Sequence, residues 1–435
     1  MAMVVKNNMS AINTLNTLNK NTNALKKSLE KVSSGMKINS AADDASGYAI
    51  SERMRVQIRS LDQANQNAQN GGSMMKVAEG AVSSTVEILK TLKEKAVSAA
   101  NDTNTDSDRA TIQKELDQSI DQINDNANVT FNGQYLVDGS HNKKTDATTT
   151  HLTNQSLSTD TATNTNLTEL KARNGDSLNI HSTDTVTISY VKDGKTVTSS
   201  MTVGTSATLD GVISSLTKGA VTVKSDSASS KIGLDGSKNQ VYTPSGEKAI
   251  TLSSKTAGLE GQIAGFTMYI TDNQGNVNKS ANAALDAFDE SIRSVNESED
   301  NSIVLQIGTK AAQSINVGLT DMKATALGLQ GKDGNTISVG TQEKANAAIN
   351  ALDAAIQKAL DQQTTIGAIE SRLEYTQSNL TTASENVTSA ESVIRDADMA
   401  KEMTEYTKNN VLLQAAQSML SQANQSSSNV LSLLQ

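Results

Sequence analysis

The residues of this chain whose types invite chemistry are three histidines, one aspartate pair and one glycine pair. His141, His151 and His181 would suit metal ligation, but they are widely separated and no His-Glu-x-x-His arrangement occurs. They read as surface-loop histidines. Asp43-Asp44 could suggest paired carboxylates for acid–base work. Adjacent side chains diverge on a helix, so a capping role fits better. Gly71-Gly72 lacks the preceding strand that a phosphate-cradling loop requires. Without cysteine, neither a disulfide framework nor a thiolate metal site can form. The chain is therefore expected to have no catalytic residues, no metal and no cofactor.

The elements that would position such groups are unusual. Hydrophobic residues make up 36% of the 435 residues and aromatics only 2%, with seven Tyr, three Phe and no Trp. Compact enzymes of this length build cores around more rings. Ala, Leu, Ile, Val and Met suit long helix–helix seams instead. A formal net charge of −9 without a basic block argues against nucleic acid. No apolar run is long enough to predict a membrane span. The start of the chain does not read as a cleaved secretory signal. At face value that points to the cytoplasm; export through an uncleaved start stays open.

Ala11, Leu15, Leu18, Thr22, Leu25, Leu29, Val32 and Met36 recur at alternating steps of four and three, a heptad seam. Ser33-Ser34-Gly35 supplies a stop, a short non-helical passage follows from Lys37 to Asp43, and Asp43 or Asp44 caps the next helix. Asn70-Gly71-Gly72 should weaken or break that helix. A further helix is expected from Asp106-Ser107, presenting Ile112, Leu116, Ile120, Ile123 and Ala127. Toward the other end a seam runs from Ala345 through Ile349, Leu352, Ile356, Ala359, Gln363 and Ile366 to Ile394. A second seam carries Leu412, Ala416, Met419, Ala423, Ser426, Val430 and Leu433, displaced in phase by one residue. The displacement predicts a junction between Asp396 and Asn410.

The middle differs. Thr185 to Val191 and Thr196 to Thr198 flank Asp193-Gly194, a hairpin signal; Phe266 to Ile270 before Asn273-Gln274-Gly275 reads as another. One amphipathic helix is expected from about Ala281 to Val295. The predicted fold is mainly α with a β-rich insert: a long coiled-coil helical hairpin or rod from both chain ends, with a variable outer domain from the middle.

The ends have one further peculiarity. Val411 to Gln435 carries no charge, and Met1 to Asn19 carries only Lys6. Exposed helices normally show charges on their outer face. Apolar stripes flanked by amides suit packing on several sides, which one chain cannot supply. These ends are expected to fold mainly upon assembly. A monomeric coiled coil with frayed ends is the alternative.

Specific motifs occur on these segments. Ser33-Ser34-Gly35, Ile38-Asn39-Ser40-Ala41, Asp43-Asp44-Ala45, Gly47, Gln69-Asn70-Gly71 and Ala78-Glu79-Gly80-Ala81 resemble the N-terminal hallmark of bacterial flagellins. Phe131-Asn132-Gly133 with Leu136 is similar to the end of that family's N-terminal rod segment. Gly367 to Leu373, Ile394 to Ala400, Gln422-Ala423-Asn424-Gln425 and Val430 to Leu434 resemble its C-terminal hallmarks. Val393 stands where many relatives have Arg, which puts one local ion pair in question. The resemblance covers about 1–140 and 300–435, leaving the insert outside.

The resemblance implies five segments: a 1–43 inner-tube helix, a 44–140 rod segment, a 141–300 outer domain, a 301–398 rod segment and a 399–435 inner-tube helix. Gln306 to Ala326 is similar to the rod's β return. It implies filament assembly through Leu15, Leu18, Leu25, Leu29, Leu412, Met419, Leu420, Val430, Leu431, Leu433 and Leu434. Implied partners are further copies of the chain, an export chaperone, and filament cap and hook-junction proteins. The implied location is extracellular, in the flagellum, after passage through the flagellar export channel. Leu89, Ile112 and Glu115 match the family's Toll-like receptor contact, but Thr91 replaces its central Arg and Lys95 a neighbouring Leu. Weak receptor activation is expected. A hook–filament junction protein is the nearest rival, and an adhesin or glycan-displaying insert is another.

Overall fold

A computed structural model of the chain describes residues 8–225 and 230–433. Seven α-helices occur among them: α1 Met9–Ser34, α2 Ala45–Ala99, α3 Asp106–Ala127, α4 Leu209–Leu216, α5 Lys279–Leu285, α6 Gln342–Arg395 and α7 Met399–Leu433. The chain forms two compact units. One comprises Met1–Ala68, Gln306–Gln313 and Tyr375–Gln435; the other comprises Gln69–Leu305 and Ser314–Glu374.

In the first unit, Leu61, Ala64 and Ala68 of α2 bury against Leu380 of α6, flanked by Ile307, Ala383 and Val387. The helix starts follow from local chemistry. Asp44 caps α2, its carboxylate accepting from the Ser46 and Gly47 amides at 3.0 Å each. Asp43 instead ties the preceding loop, accepting from the Asn39 and Ser40 amides. These bonds hold the Asp43 carboxyl below its ordinary range, the Ser40 amide first among them. α1 stops at Gly35, whose φ of 71° suits glycine.

The second unit joins a helical part to the insert. In α2, Met75, Ala78, Val82, Thr85, Leu89, Leu92, Ala96 and Ala99 are buried at alternating three- and four-residue steps. Leu116, Ile120, Ile123 and Ala127 do the same in α3. In α6 the buried line runs through Ala345, Ala348, Leu352, Ala355, Ala359, Gln362 and Ile366. It therefore follows Ala348, Ala355 and Gln362 where Ile349, Ile356 and Gln363 were expected. Small alanines let neighbouring backbones approach closely. Thr105 opens α3 with a capping box to Asp108. Arg109, buried, closes the end of α2 by donating to the Ala99 carbonyl at 2.9 Å and the Asn101 carbonyl at 3.1 Å.

The insert is built from antiparallel strands. Ile263–Thr271, Thr185–Lys192 and Lys195–Thr202 form one sheet; Phe288–Ile292, His151–Asn154, Ile250–Ser254 and Val221–Ser225 form a second. Side chains such as Ile188, Met268, Ile213, Leu285 and Leu252 fill the core they share with α4 and α5. Asp193-Gly194 makes the expected two-residue hairpin, with φ of 51° and 69° and Lys192 paired to Lys195.

Several expectations are corrected. α2 is continuous through Asn70-Gly71-Gly72. A Cβ on Gly71 would lie 2.6 Å from Leu305 Cδ1, so this glycine admits a close neighbour and leaves the helix intact. The helix expected over Ala281 to Val295 ends at Leu285, and Phe288–Ile292 is a strand paired with His151–Asn154. Phe288 meets Phe266 edge to face at 5.1 Å, a contact that anchors the strand. Asn273-Gln274-Gly275 makes a turn around the Asp272 carboxylate, and the expected hairpin is short: its return is a single antiparallel bridge, Val277 to Thr271, before the chain enters α5. His151 is buried on a strand, its ring between the Ser253 and Thr149 hydroxyls at 2.7 and 3.0 Å; it is not a loop residue. The ends form helices over Met9–Ser34 and Met399–Leu433.

Candidate assembly surface

α1 and α7 pack along one another in antiparallel register. Asn8 Nδ2 donates to the Ala423 carbonyl at 3.1 Å, Asn21 Nδ2 to the Leu412 carbonyl at 3.2 Å, and Asn409 Nδ2 to Ser28 Oγ at 3.0 Å. At the far end Lys31 lies 3.6 Å from Glu402. Side-chain amides, which bond at any pH, thus set the register where charges are lacking.

The pair satisfies only one stripe of each helix. Leu18, Leu25 and Leu420 are half-buried and Ala416 is buried. Leu15 is 45% exposed, Leu29 51%, Leu412 43% and Met419 62%, so these assembly candidates form no part of the intrachain seam. On α7 the seam runs through Asn409, Leu413, Ala416, Leu420 and Ala423. Large apolar side chains therefore face outward on both helices; Leu15, Leu412 and Met419 do so on stretches without charge, whereas Leu29 lies among Lys26, Lys27, Glu30 and Lys31. Val430, Leu431 and Leu433 lie on described helix, but their side chains fall outside the described residues, as does the whole of Leu434.

A clasp stands where the α1–α2 and α6–α7 connections meet. Met36 bridges Asp396, the Lys37 amide donates to the Arg395 carbonyl at 2.8 Å, and the Ala397 amide donates to the Gly35 carbonyl at 2.9 Å. Arg395, 5% exposed, donates to Glu52 Oε1 at 2.6 Å and to Met36 Sδ at 3.1 Å, and stacks 5.5 Å from the Tyr48 ring centre. The Arg395 hydrogen bond holds the Glu52 carboxyl below its ordinary range. Val393 is 76% exposed and offers the Lys37 ammonium only its carbonyl, at 3.0 Å. The sequence reading placed Arg395 within the Ile394 to Ala400 motif but gave it no role of its own.

Arg395→Ala is expected to cost roughly 2 kcal/mol and to loosen the α6–α7 connection, because it removes a buried hydrogen-bonding group. Hydrogen exchange at Lys37 and Ala397 should accelerate while that of α3 stays unchanged. Since Glu52 is held below its ordinary 4.5, its contribution is complete above that pH and is lost as pH falls through the lower folded value.

The receptor-contact expectation needs correcting in one residue. Leu89 is fully buried in the helical core and offers no surface to a partner. Ile112 is half-buried, and Glu115 is exposed, 3.0 Å from Lys95. Among the described residues, no group of three or more His, Asp or Glu is arranged to hold a metal. No described helix is long and apolar enough to cross a membrane.

Comparison with known proteins is consistent across the chain. The family description "bacterial flagellin N-terminal helical region" matches residues 5–142, and "bacterial flagellin C-terminal helical region" matches 349–434. A flagellin of Clostridium tyrobutyricum is 37% identical over 424 residues, covering 97% of this chain and 99% of its own length. A flagellin of Bacillus subtilis is 30% identical over 452 residues, covering 99% of this chain and 100% of its own length. Among solved structures, FliC from Burkholderia pseudomallei is similar at 18% identity, with a TM-score of 0.26, over 69% of this chain and 99% of that one.

Proposed function

The chain belongs to the bacterial flagellin family and is a structural subunit of the flagellar filament; from that premise we propose how its surfaces serve polymerisation. The outward apolar stripes of α1 and α7 pack against further copies of the chain and line the inner tube of the filament. The observation that carries this reading is the exposure of Leu15, Leu412 and Met419 on stretches without charge. One contact repeated along a non-closing rotation generates an open helical filament. In this proposal the 1–43 and 399–435 segments form the inner tube, 44–140 and 301–398 the rod, and 141–300 the outer domain. The free subunit leaves the cell through the flagellar channel to an extracellular site, with an export chaperone covering the uncharged C-terminal stretch beforehand. Cap and hook-junction proteins contact the growing ends.

The test is negative-stain electron microscopy of purified full-length chain after adding precipitant salt or filament seeds. Long filaments of flagellar width are expected. Monomers alone, with helices intact by circular dichroism, would instead favour a hook–filament junction role.

A further inference from the structure

Among the described residues, the methionines divide sharply by location. Met9, Met399, Met403 and Met419 are 61, 43, 46 and 62% exposed, and all four lie on α1 or α7. In the second unit Met74, Met75, Met268 and Met322 are at most 6% exposed. Met36, Met54 and Met201 are half-buried, and the Met36 sulfur already accepts from Arg395 Nε. With no cysteine in the chain, the thioethers are its softest nucleophiles. The accessible ones all lie on α1 and α7, the helices that the proposed assembly packs against further copies, with Met399 and Met403 at the charged start of α7 beside Lys401, Glu402 and Glu405.

We propose that these four methionines are an oxidation-sensitive set, and that their conversion to sulfoxides by a peroxide withdraws the free subunit from polymerisation. The thioether sulfur attacks one peroxide oxygen and the O–O bond breaks. Sulfur loses two electrons, one oxygen stays as the sulfoxide and the other leaves as water. The product carries a strong S–O dipole on helices that must shed water to pack against further copies. The four methionines become shielded once packed, so subunits within a filament are protected and free ones are not. A methionine sulfoxide reductase with a dithiol reverses the change, the dithiol closing to a disulfide as the oxygen departs as water. The inference rests on the packing of α1 and α7 against further copies.

The experiment treats full-length monomer with hydrogen peroxide, maps sulfoxides by peptide mass spectrometry, and measures seeded polymerisation by sedimentation. Oxidation is expected first at the four exposed sites, with the critical concentration rising about tenfold or more. Reductase and dithiothreitol should restore it. A variant with Met9, Met399, Met403 and Met419 all changed to Leu should polymerise alike before and after peroxide. Unchanged polymerisation of oxidised wild type, failure of the reductase to restore it, or preferential oxidation of Met74 and Met75 would overturn the inference. Polymerisation of untreated chain is read in the same assay, and its absence would overturn the packing proposal itself. If the leucine variant assembles poorly, recovery of oxidised wild type by reductase still decides the question.

Discussion

Chains ending at Asn410 are expected to remain monomeric at every concentration at which the full chain polymerises. The truncation removes the uncharged part of α7, including Leu412, Ala416, Met419 and Leu420. It also removes the Ala423 and Leu412 carbonyls to which Asn8 and Asn21 donate, so α1 loses its register along with its partner. The second unit does not contain this segment and should keep its thermal transition. Leu420→Asp should reproduce most of the loss, because a carboxylate would replace a half-buried leucine beside α1. Burying an unpaired charge costs about 3 kcal/mol, or on the order of 100-fold in critical concentration. The same substitution at Leu431 should block assembly too. Sedimentation with electron microscopy measures both effects. Normal filaments from the truncated chain would mean that α7 past Asn410 contributes nothing to subunit contacts.

Gly265→Ala is expected to be among the most damaging single-methyl additions in the second unit. Gly265 sits at φ 62° where Ile263–Thr271 passes α6, and an added Cβ would lie 2.0 Å from the Ala347 carbonyl oxygen and 2.8 Å from the Ala351 amide nitrogen. Those are helix backbone atoms and cannot swing aside. Strain and overpacking together should cost about 3 kcal/mol or more. Gly275, at φ 85° with nothing within 4 Å of the same added atom, is the control, and its change to Ala should cost only about 1 kcal/mol. Urea unfolding of both variants separates the crowding from the dihedral penalty. Equal stabilities would show that the insert does not depend on its close approach to α6.

Much of the helical part was legible because heptad spacing is a local signal repeated many times. Every second position of the α6 seam, Ala345, Leu352, Ala359 and Ile366, and a junction that takes in the break before Met399 followed from phase alone. The Asp193-Gly194 hairpin was legible for a similar reason, since only a few residue pairs suit that turn. What escaped was decided by partners distant in sequence. Gly71 looks like a helix breaker until Leu305 is seen against it. The Phe288–Ile292 strand has helical spacing and takes its conformation from pairing with His151–Asn154. The same pairing network buries His151, which polar neighbours in the sequence had made look exposed. On α7, Leu412 and Leu413 are equally apolar. Only the position of α1 decides that Leu413 turns inward and Leu412 outward, which is why the candidate set mixed seam and outer-stripe residues.

The pairing of Phe288–Ile292 with His151–Asn154 makes the first and last strands of the insert neighbours. The two places where the chain crosses into and out of the insert are thus held roughly 5 Å apart, the spacing of adjacent strands. A gene segment encoding everything between them is a cassette with fixed terminals. Because closing a longer loop costs only about 0.6 kcal/mol per doubling of its length, sequences of very different size can occupy the same socket.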